Sequence, residues 1–349
     1  NALFLLLLAA FIKGVDEYQE LLRCSVAFAG NDHRLGAQEA PPAVISIFLG
    51  TELEGIIDAI VGENDYTAPE HKSLRIGVDV LPAIPQDTTD RNRTSPFAFT
   101  GNKFEFRMPG SSQSIAGPVT ILNTIMAEEL DEFYAQLKDA PDFTAALHKL
   151  IRDTFSAHRR IIFNGNGYSD AWVEEAERRG LPNIRSMVEA IPALTTDKAV
   201  KLYESFGVFT KAELESRAEV EYEAYGKMIN IEARTMIDMA SKQIIPAVIK
   251  YTTQLAGSLG AVKAACPEAD TSVQAELLTE TSALLSDMKV ALAALIDITE
   301  EAAGVHGAET QAHVYHEKVV PAMAALRAPA DKLEMIVDKD LWPFPSYGD

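Results

Sequence analysis

Cysteine is almost absent from this chain. There are two in 349 residues, Cys24 and Cys266, far apart in sequence. That excludes a disulfide framework and a Cys-rich zinc site, and it fits a reducing cytoplasm. Basic residues are also scarce, with 31 Lys plus Arg against 51 Asp plus Glu and a net charge of −20. Nucleic-acid binding neutralises phosphates with clustered Lys and Arg, and adhesion to an anionic membrane needs the same. The charge balance opposes both, although a few arginines can still converge on a small anion. Long apolar runs are missing too. The longest spans residues 2–12, ALFLLLLAAFI, whereas a membrane-crossing helix needs about 20 residues. A signal peptide tolerates this length, and Ala27-Phe28-Ala29 resembles a cleavage site. Yet no basic residue precedes the run, and Lys13, Asp16, Glu17, Glu20 and Arg23 fill the space before that site. Residues 2–23 therefore read as a core helix, and a chain opening mid-helix on Asn1 reads as a piece of a longer protein. There is no Gly-Lys-Ser/Thr P-loop and no Gly-x-Ser-x-Gly.

What is present is ordinary globular material. Hydrophobic residues make up 47% and charged residues 23%, enough for a sizeable core. A domain runs to about 100–200 residues, so the length suggests two. Strand signals fall in the first third: the β-branched run Ala43–Phe48, the segment Leu74–Leu81, and Pro96–Met108, PFAFTGNKFEFRM. In the last, Phe97 and Phe99 alternate, Thr100-Gly101-Asn102 offers a turn, and Phe104 and Phe106 alternate again. Side chains change face at every residue of a strand, so Lys103, Glu105 and Arg107 share one face and the phenylalanines the other. From Pro118 on, the pattern is helical, with helices expected at 118–138, 142–160, 168–180, 183–190, 195–206, 211–257, 269–304 and 308–328. Asp142 reads as an N-cap, and Gly180 and Gly207 as stops. Residues 211–257 and 269–304 are long, Ala-rich and amphipathic, which suggests a helical hairpin or bundle. No internal repeat stands out. The class is α+β.

Several constellations carry two readings. Lys103, Glu105 and Arg107 are either a solvated strand face or a metal-binding carboxylate flanked by phosphate-binding cations. Arg91-Asn92-Arg93-Thr94 is either an ordinary basic loop, with a chance glycosylation sequon, or a source of guanidinium groups for phosphate or carboxylate. Asn31-Asp32-His33-Arg34 and Glu39 are loop residues that either hold the loop or serve a site. His313, His316 and Glu317 have helical spacing, but zinc needs further ligands, so a solvated helix face is favoured. Asn164-Gly165-Asn166-Gly167 reads as a turn.

Four segments together resemble the large, type III form of the glutamine synthetase family. They are Leu22–Pro42, LRCSVAFAGNDHRLGAQEAPP; Asp90–Gly110, DRNRTSPFAFTGNKFEFRMPG; Phe163–Asn183, FNGNGYSDAWVEEAERRGLPN; and Leu341–Asp349, LWPFPSYGD. The resemblance runs along the whole chain. It implies that residues 1–212 are the C-terminal part of a catalytic domain, with strands from an open barrel-like sheet. It implies that residues 213–349 are a helical C-terminal domain. The implied reaction uses ATP and Mg²⁺ (or Mn²⁺) to phosphorylate L-glutamate, after which ammonium nitrogen displaces phosphate to give L-glutamine. By motif, Glu105 is similar to a ligand of the metal that bridges the ATP phosphates. Arg107 matches an arginine facing the transferring phosphoryl group, Lys103 a cation on nucleotide phosphate, and Arg93 a phosphate-stabilising arginine. Arg34 matches a glutamate-binding arginine, and Glu39 an acidic loop residue that closes the site and takes up the ammonium proton. Such a loop would exclude water from a labile intermediate.

The pattern departs at three places. The Arg34–Glu39 spacing is one residue shorter than the common bacterial form. Ala98 stands where that form has a second arginine, a role Arg91 could fill. Met108-Pro109-Gly110 replaces the usual Pro-Asp. The family's N-terminal domain and further metal-binding glutamates have no counterpart here. The resemblance therefore implies that this chain supplies part of an active site and should not catalyse alone. It further implies a cytoplasmic homo-oligomer, a double ring of six-subunit rings, acting in nitrogen assimilation. Two other readings stay open: a non-catalytic remnant that assembles with or regulates a synthetase, and a γ-glutamyl-amine ligase using another amine.

Overall fold

The structure is a computed structural model and describes residues 2–37, 40–66, 73–74, 84–85 and 94–345. The described residues are mostly helical, with one three-stranded sheet and one two-stranded pair among them. The chain divides into two compact units, Asn1–Ala218 and Glu219–Asp349.

The first unit opens on α1 (Ala2–Glu17) and α2 (Gln19–Cys24). The expected single helix over 2–23 is thus interrupted at Tyr18, whose φ of −116° and ψ of 22° leave the helical region. Its side chain is held by partners distant in sequence. The Tyr18 hydroxyl donates to Glu128, and the Lys198 ammonium lies 4.1 Å from the centre of its ring. The apolar run is a core element: Leu8, Ala9, Ala10, Ile12 and Val15 are buried. A short α3 (Ala29–Asp32) follows.

Next come β1 (Ile47–Phe48), α4 (Thr51–Gly62), the paired β2 (Ser73–Leu74) and β3 (Ile84–Pro85), then β4 (Phe97–Phe99) and β5 (Phe104–Phe106). Of the expected strand over 43–48, only the last two residues pair. The expectation for 74–81 lies outside the described residues apart from Leu74. In the main sheet, β1 runs parallel to β4, and β4 antiparallel to β5. Phe97 faces Phe106, Ala98 faces Glu105, and Phe99 faces Phe104. A parallel bridge from Ile47 to Ile162 extends the sheet beyond β1.

The alternation expected for the hairpin is present in the packing. Phe104 stacks on Phe11 of α1 at 3.9 Å, and Phe97 stacks on Phe106 at 4.3 Å and meets Phe11 edge-on at 5.4 Å. Such ring pairs add about 0.5–1.5 kcal/mol each beyond their buried area. The aromatic face is thereby committed to α1, and the intervening residues turn away from it.

The rest of the unit is helical: α5 (Ala116–Leu137), α6 (Phe143–His158), α7 (Asp170–Arg178), α8 (Met187–Ala190) and α9 (Asp197–Ser205). Of these, α5 and α6 pack on α1, α8 on α2 and α9 on α5. Asp142 caps α6 as expected, accepting from the Ala145 amide at 3.0 Å. Gly180 and Gly207 adopt positive φ, 72° and 63°, just past helix ends, where glycine carries no Cβ penalty. The expected helix over 183–190 is only α8, because Ser186 caps it in a reciprocal box with Glu189. Lys13 of α1 pairs with buried Glu129 and with Glu132 of α5. At the next residue, a Cβ on Gly14 would sit 2.5 Å from Ile125 Cγ2 and 3.2 Å from Glu129 Cγ. The α1–α5 crossing is close because that position has no side chain.

The helix α10 (Lys211–Met239) carries the chain into the second unit. There, α11 (Ile245–Ala265), α12 (Ser272–Ala303), α13 (Ala308–Val314) and α14 (Val320–Glu334) form the helical hairpins expected from the sequence. The buried seam of α12, Leu284, Met288, Leu292, Leu295, Thr299 and Ala302, keeps three- and four-residue spacing, the stripe of a bundle helix. Two helices swell into π-turns, Ala240–Ile244 and Tyr315–Val319, each just ahead of a proline, Pro246 and Pro321. Proline lacks an amide proton and crowds the carbonyl four residues back. A wider turn relieves that clash, so each helix continues instead of stopping. Among the described residues, no helix is long and apolar enough to cross a membrane.

Replacing Gly14 by leucine should lower the stability of the first unit by about 1–3 kcal/mol, the usual range for overpacking. A urea melt checks it: the midpoint falls while the slope holds. An unchanged midpoint would mean the α1–α5 contact is looser than described.

Candidate active site

The hairpin β4–β5 presents the best candidate. Arg107 Nη2 and Nε reach Glu105 Oε2 at 3.1 and 3.3 Å, a contact that requires the two side chains to share a face. The Glu105 side chain is 43% exposed and that of Arg107 13%. Lys103 precedes them at the hairpin turn, exposed, with its carbonyl accepting from the Thr100 amide at 2.9 Å. Ala98, the position where the bacterial pattern has an arginine, lies directly opposite Glu105 and is fully buried.

Arg34 is brought to the same place. It follows α3, and its guanidinium grips the end of the hairpin: Nη1 donates to the Met108 carbonyl at 2.7 Å and to Asn31 Oδ1 at 3.2 Å. Nη2 donates to the Arg107 carbonyl at 3.2 Å. Buried Asn31 adds its own Nδ2 to the Met108 carbonyl at 3.2 Å and to that of Val26 at 2.8 Å. Gln113 Oε1 accepts from the Gly110 amide at 2.7 Å. Three side chains therefore hold residues 107–110 in place. Asn31 belongs to a quoted loop motif, whereas Gln113 carried no signal in the sequence. Glu39 and Arg93, like Arg91, lie outside the described residues.

The loop is anchored from behind by a buried ion pair. Arg23, 1% exposed, lies 3.5 Å from Asp32 and donates to the Ile184 carbonyl at 2.7 Å. Asp32 Oδ2 accepts from the Met187 amide at 3.0 Å. Burial pushes the Asp32 carboxyl up to about 6, although the Met187 amide and the Arg23 charge pull the other way. The same burial lowers Arg23.

The other candidates resolve into structural roles. His316 Nδ1 lies 3.0 Å from the Tyr225 hydroxyl, and His313 Nδ1 lies 3.2 Å from Glu317. Among the described residues, no three His, Cys, Asp or Glu side chains gather to hold a metal. A 480 Å³ cavity between α1, α4 and α6, lined by Leu5, Ile60, His148 and Ile151, contains none of the candidate residues.

The face thus combines one accessible carboxylate with arginines held at fixed positions, a set suited to oxyanions and to a hard cation. Residues 146–263 match the family model described as the glutamine synthetase C-terminal domain. The type-3 glutamine synthetase of Dictyostelium discoideum is 41% identical, aligned over 100% of this chain and 48% of its own length. Glutamine synthetases of Bacteroides fragilis and Butyrivibrio fibrisolvens are 38% and 37% identical, over 99% and 100% of this chain and 49% and 50% of theirs. The chain belongs to the glutamine synthetase family, with a type-3 member among its relatives. It spans about half the length of the curated relatives it matches.

Two predictions follow from the loop. Arg34→Ala should cost about 1–3 kcal/mol of stability without any substrate present, because the Arg107 carbonyl loses the Arg34 donor and the Met108 carbonyl is left with Asn31 alone. A melt equal to wild type would mean the grip on the hairpin is not made in solution. Asp32 binds its proton more tightly folded than unfolded, since about 6 lies above its ordinary value of 3.8. Its contribution is therefore complete below pH 4 and lost as pH rises through 6. Urea melts from pH 4 to 7 should show stability falling relative to Asp32→Asn by on the order of 2 kcal/mol. Parallel pH profiles would contradict the assignment.

Proposed function

We propose that the chain is part of a ligase joining ammonium nitrogen to L-glutamate with ATP, through γ-glutamyl phosphate, and that it contributes one portion of the active site. The observation that carries this reading is Glu105 held against Arg107 on an open strand face, with Lys103 beside them, in a chain homologous end to end to glutamine synthetases. In the first step, a side-chain carboxylate oxygen of glutamate attacks the γ-phosphorus and ADP departs. In the second, nitrogen attacks the acyl carbon, phosphate departs, and the nitrogen sheds a proton. Arg107 and Arg93 offset charge on the transferring phosphoryl group, Lys103 holds nucleotide phosphate, and Arg34 binds the glutamate. Glu39 closes the site and accepts the proton.

Both hydrogen bonds to Glu105 fall on Oε2, and the side chain is 43% exposed. One carboxylate together with phosphate oxygens is a donor set that Mg²⁺ accepts, so Glu105 fits as this chain's ligand for Mg²⁺ or Mn²⁺. When bound, such a cation neutralises the polyphosphate and polarises the γ-phosphoryl group. The remaining ligands would come from outside the described residues. In the same reading, residues 1–212 belong to the catalytic domain, with β1, β4 and β5 as strands of its open barrel-like sheet. Residues 213–349 form the helical extension that supports a cytoplasmic double hexameric ring.

The test uses the complete protein that contains this chain, assayed for ATP-dependent ammonium incorporation into glutamate. Arg107→Gln and Glu105→Gln should each lower kcat by about 100-fold or more, with ammonium preferred over methylamine or putrescine. Turnover within twofold of the parent in both variants would remove the hairpin face from the reaction. Preference for another amine would shift the reading to a γ-glutamyl-amine ligase.

A further inference from the structure

The Asn164-Gly165-Asn166-Gly167 turn has more contacts than a turn needs. The strand segment before it is locked to the sheet: the Phe163 amide donates to the Ile47 carbonyl at 2.9 Å, and its ring stacks on Trp172 at 3.7 Å. Arg179 lies over both rings and donates to the Ile162 carbonyl at 2.9 Å. Asn164 then ties the turn to the segment that leads into α4. Its Oδ1 accepts from the amides of Leu49 and Gly50, both at 2.9 Å, and its Nδ2 donates to Glu54 in the first turn of α4 at 2.7 Å. On the far side, Asn166 Oδ1 accepts from the Tyr168 amide at 3.0 Å. The turn is held rigidly at both ends.

Gly167 is the point of contact with the candidate site. A Cβ there would lie 2.1 Å from the Thr94 carbonyl oxygen, 3.1 Å from its carbon and 3.4 Å from Pro42 Cδ. The 2.1 Å contact is with backbone, which cannot swing aside as a side chain can. Thr94 follows Arg93 in sequence and leads through buried Ser95 to Pro96, whose carbonyl accepts from the Arg107 amide at 2.8 Å. Pro42 closes the loop that carries Arg34 and Glu39. A single glycine therefore touches the chain at both sequence segments from which the candidate residues come.

We infer that Gly167 is a positioning residue: by letting the rigid 163–172 turn pack directly on the Thr94 carbonyl and Pro42, it sets the register of the Arg107-bearing hairpin against the Arg34 loop. Any side chain drives the Thr94 backbone outward and moves the Pro96 carbonyl that holds Arg107. Positioning errors of about 1 Å can cost about 100-fold in rate. The catalytic half of this inference rests on the ligase reading above, and the mechanical half does not.

The experiment compares Gly167→Ala with Gly257→Ala, whose Cβ meets nothing within 4 Å. Hydrogen exchange on the chain reads the amides of Arg107 and Phe97, bonded to the Pro96 and Ser46 carbonyls. Opening of these bonds reports local stability. Gly167→Ala should speed both amides at least tenfold, and Gly257→Ala should leave them unchanged. In the complete protein, Gly167→Ala should lower kcat for glutamine formation, expressed per folded enzyme from the circular-dichroism signal, at least tenfold, with the KM for ATP within threefold; the normalisation separates mispositioning from loss of folded enzyme. Should Gly167→Ala not fold, Asn166→Ala loosens the same turn without adding an atom and should move both readouts in the same direction. Unchanged exchange at Arg107 and Phe97 overturns the inference. Faster exchange with kcat within twofold of the parent also overturns it, by removing the link to the reaction. If the parent forms no glutamine, the ligase reading fails, and the exchange result still decides whether Gly167 sets the hairpin.

Discussion

The burial of one face of the β4–β5 hairpin against α1 is the constraint on which the site depends. Phe97 stacks on Phe106, Phe104 stacks on Phe11, and Phe97 meets Phe11 edge-on, and a strand can bury one face only by turning the other away. Glu105 and Arg107 face outward because the phenylalanines face inward. A slip of one residue in the pairing would exchange the two sets. The α1 side of that contact is in turn fixed by the close crossing with α5 at Gly14 and by the Lys13–Glu129 pair.

Around this hairpin, backbone carbonyls do most of the positioning. Arg34 and Asn31 share the Met108 carbonyl, Gln113 takes the Gly110 amide, and the Pro96 carbonyl holds the Arg107 amide. Main-chain acceptors cannot change rotamer, so side chains clamped to them lose little precision. The buried Arg23–Asp32 pair extends the same scheme to the segment ahead of α8. Removing one partner of such a pair strands the other charge, so the loop's position and the pair's integrity are coupled.

Much of this was legible in the sequence where a period or a cap carried it. The phenylalanine alternation specified the hairpin and its faces. Asp142, Gly180 and Gly207 marked helix ends, and the amphipathic pattern of residues 269–304 marked a bundle helix, observed over 272–303. Other features depend on partners distant in sequence, and no local pattern announces them. The break at Tyr18 needs Glu128 and Lys198. The π-turns were visible only as prolines inside long helical patterns. Gln113 and the role of Asn164 depend on contacts spanning the fold. Gly167 looked like any turn glycine, because the atom that forbids a side chain there belongs to Thr94. Of the candidate site residues, Arg34, Lys103, Glu105 and Arg107 are described and gather at the hairpin. Arg34 was anticipated as a substrate contact, and its guanidinium is seen on the hairpin carbonyls.

The central claim is that the outward face of the hairpin meets nucleotide phosphate and its cation. A crystal structure of the complete protein with Mn²⁺ and a non-hydrolysable ATP analogue tests it most directly, by locating manganese from its anomalous scattering. The account predicts a manganese peak about 2.1 Å from a Glu105 carboxylate oxygen, with the γ-phosphate within hydrogen-bond reach of Arg107. Nucleotide and manganese bound elsewhere, with the Glu105–Arg107 pair open to solvent, would contradict it.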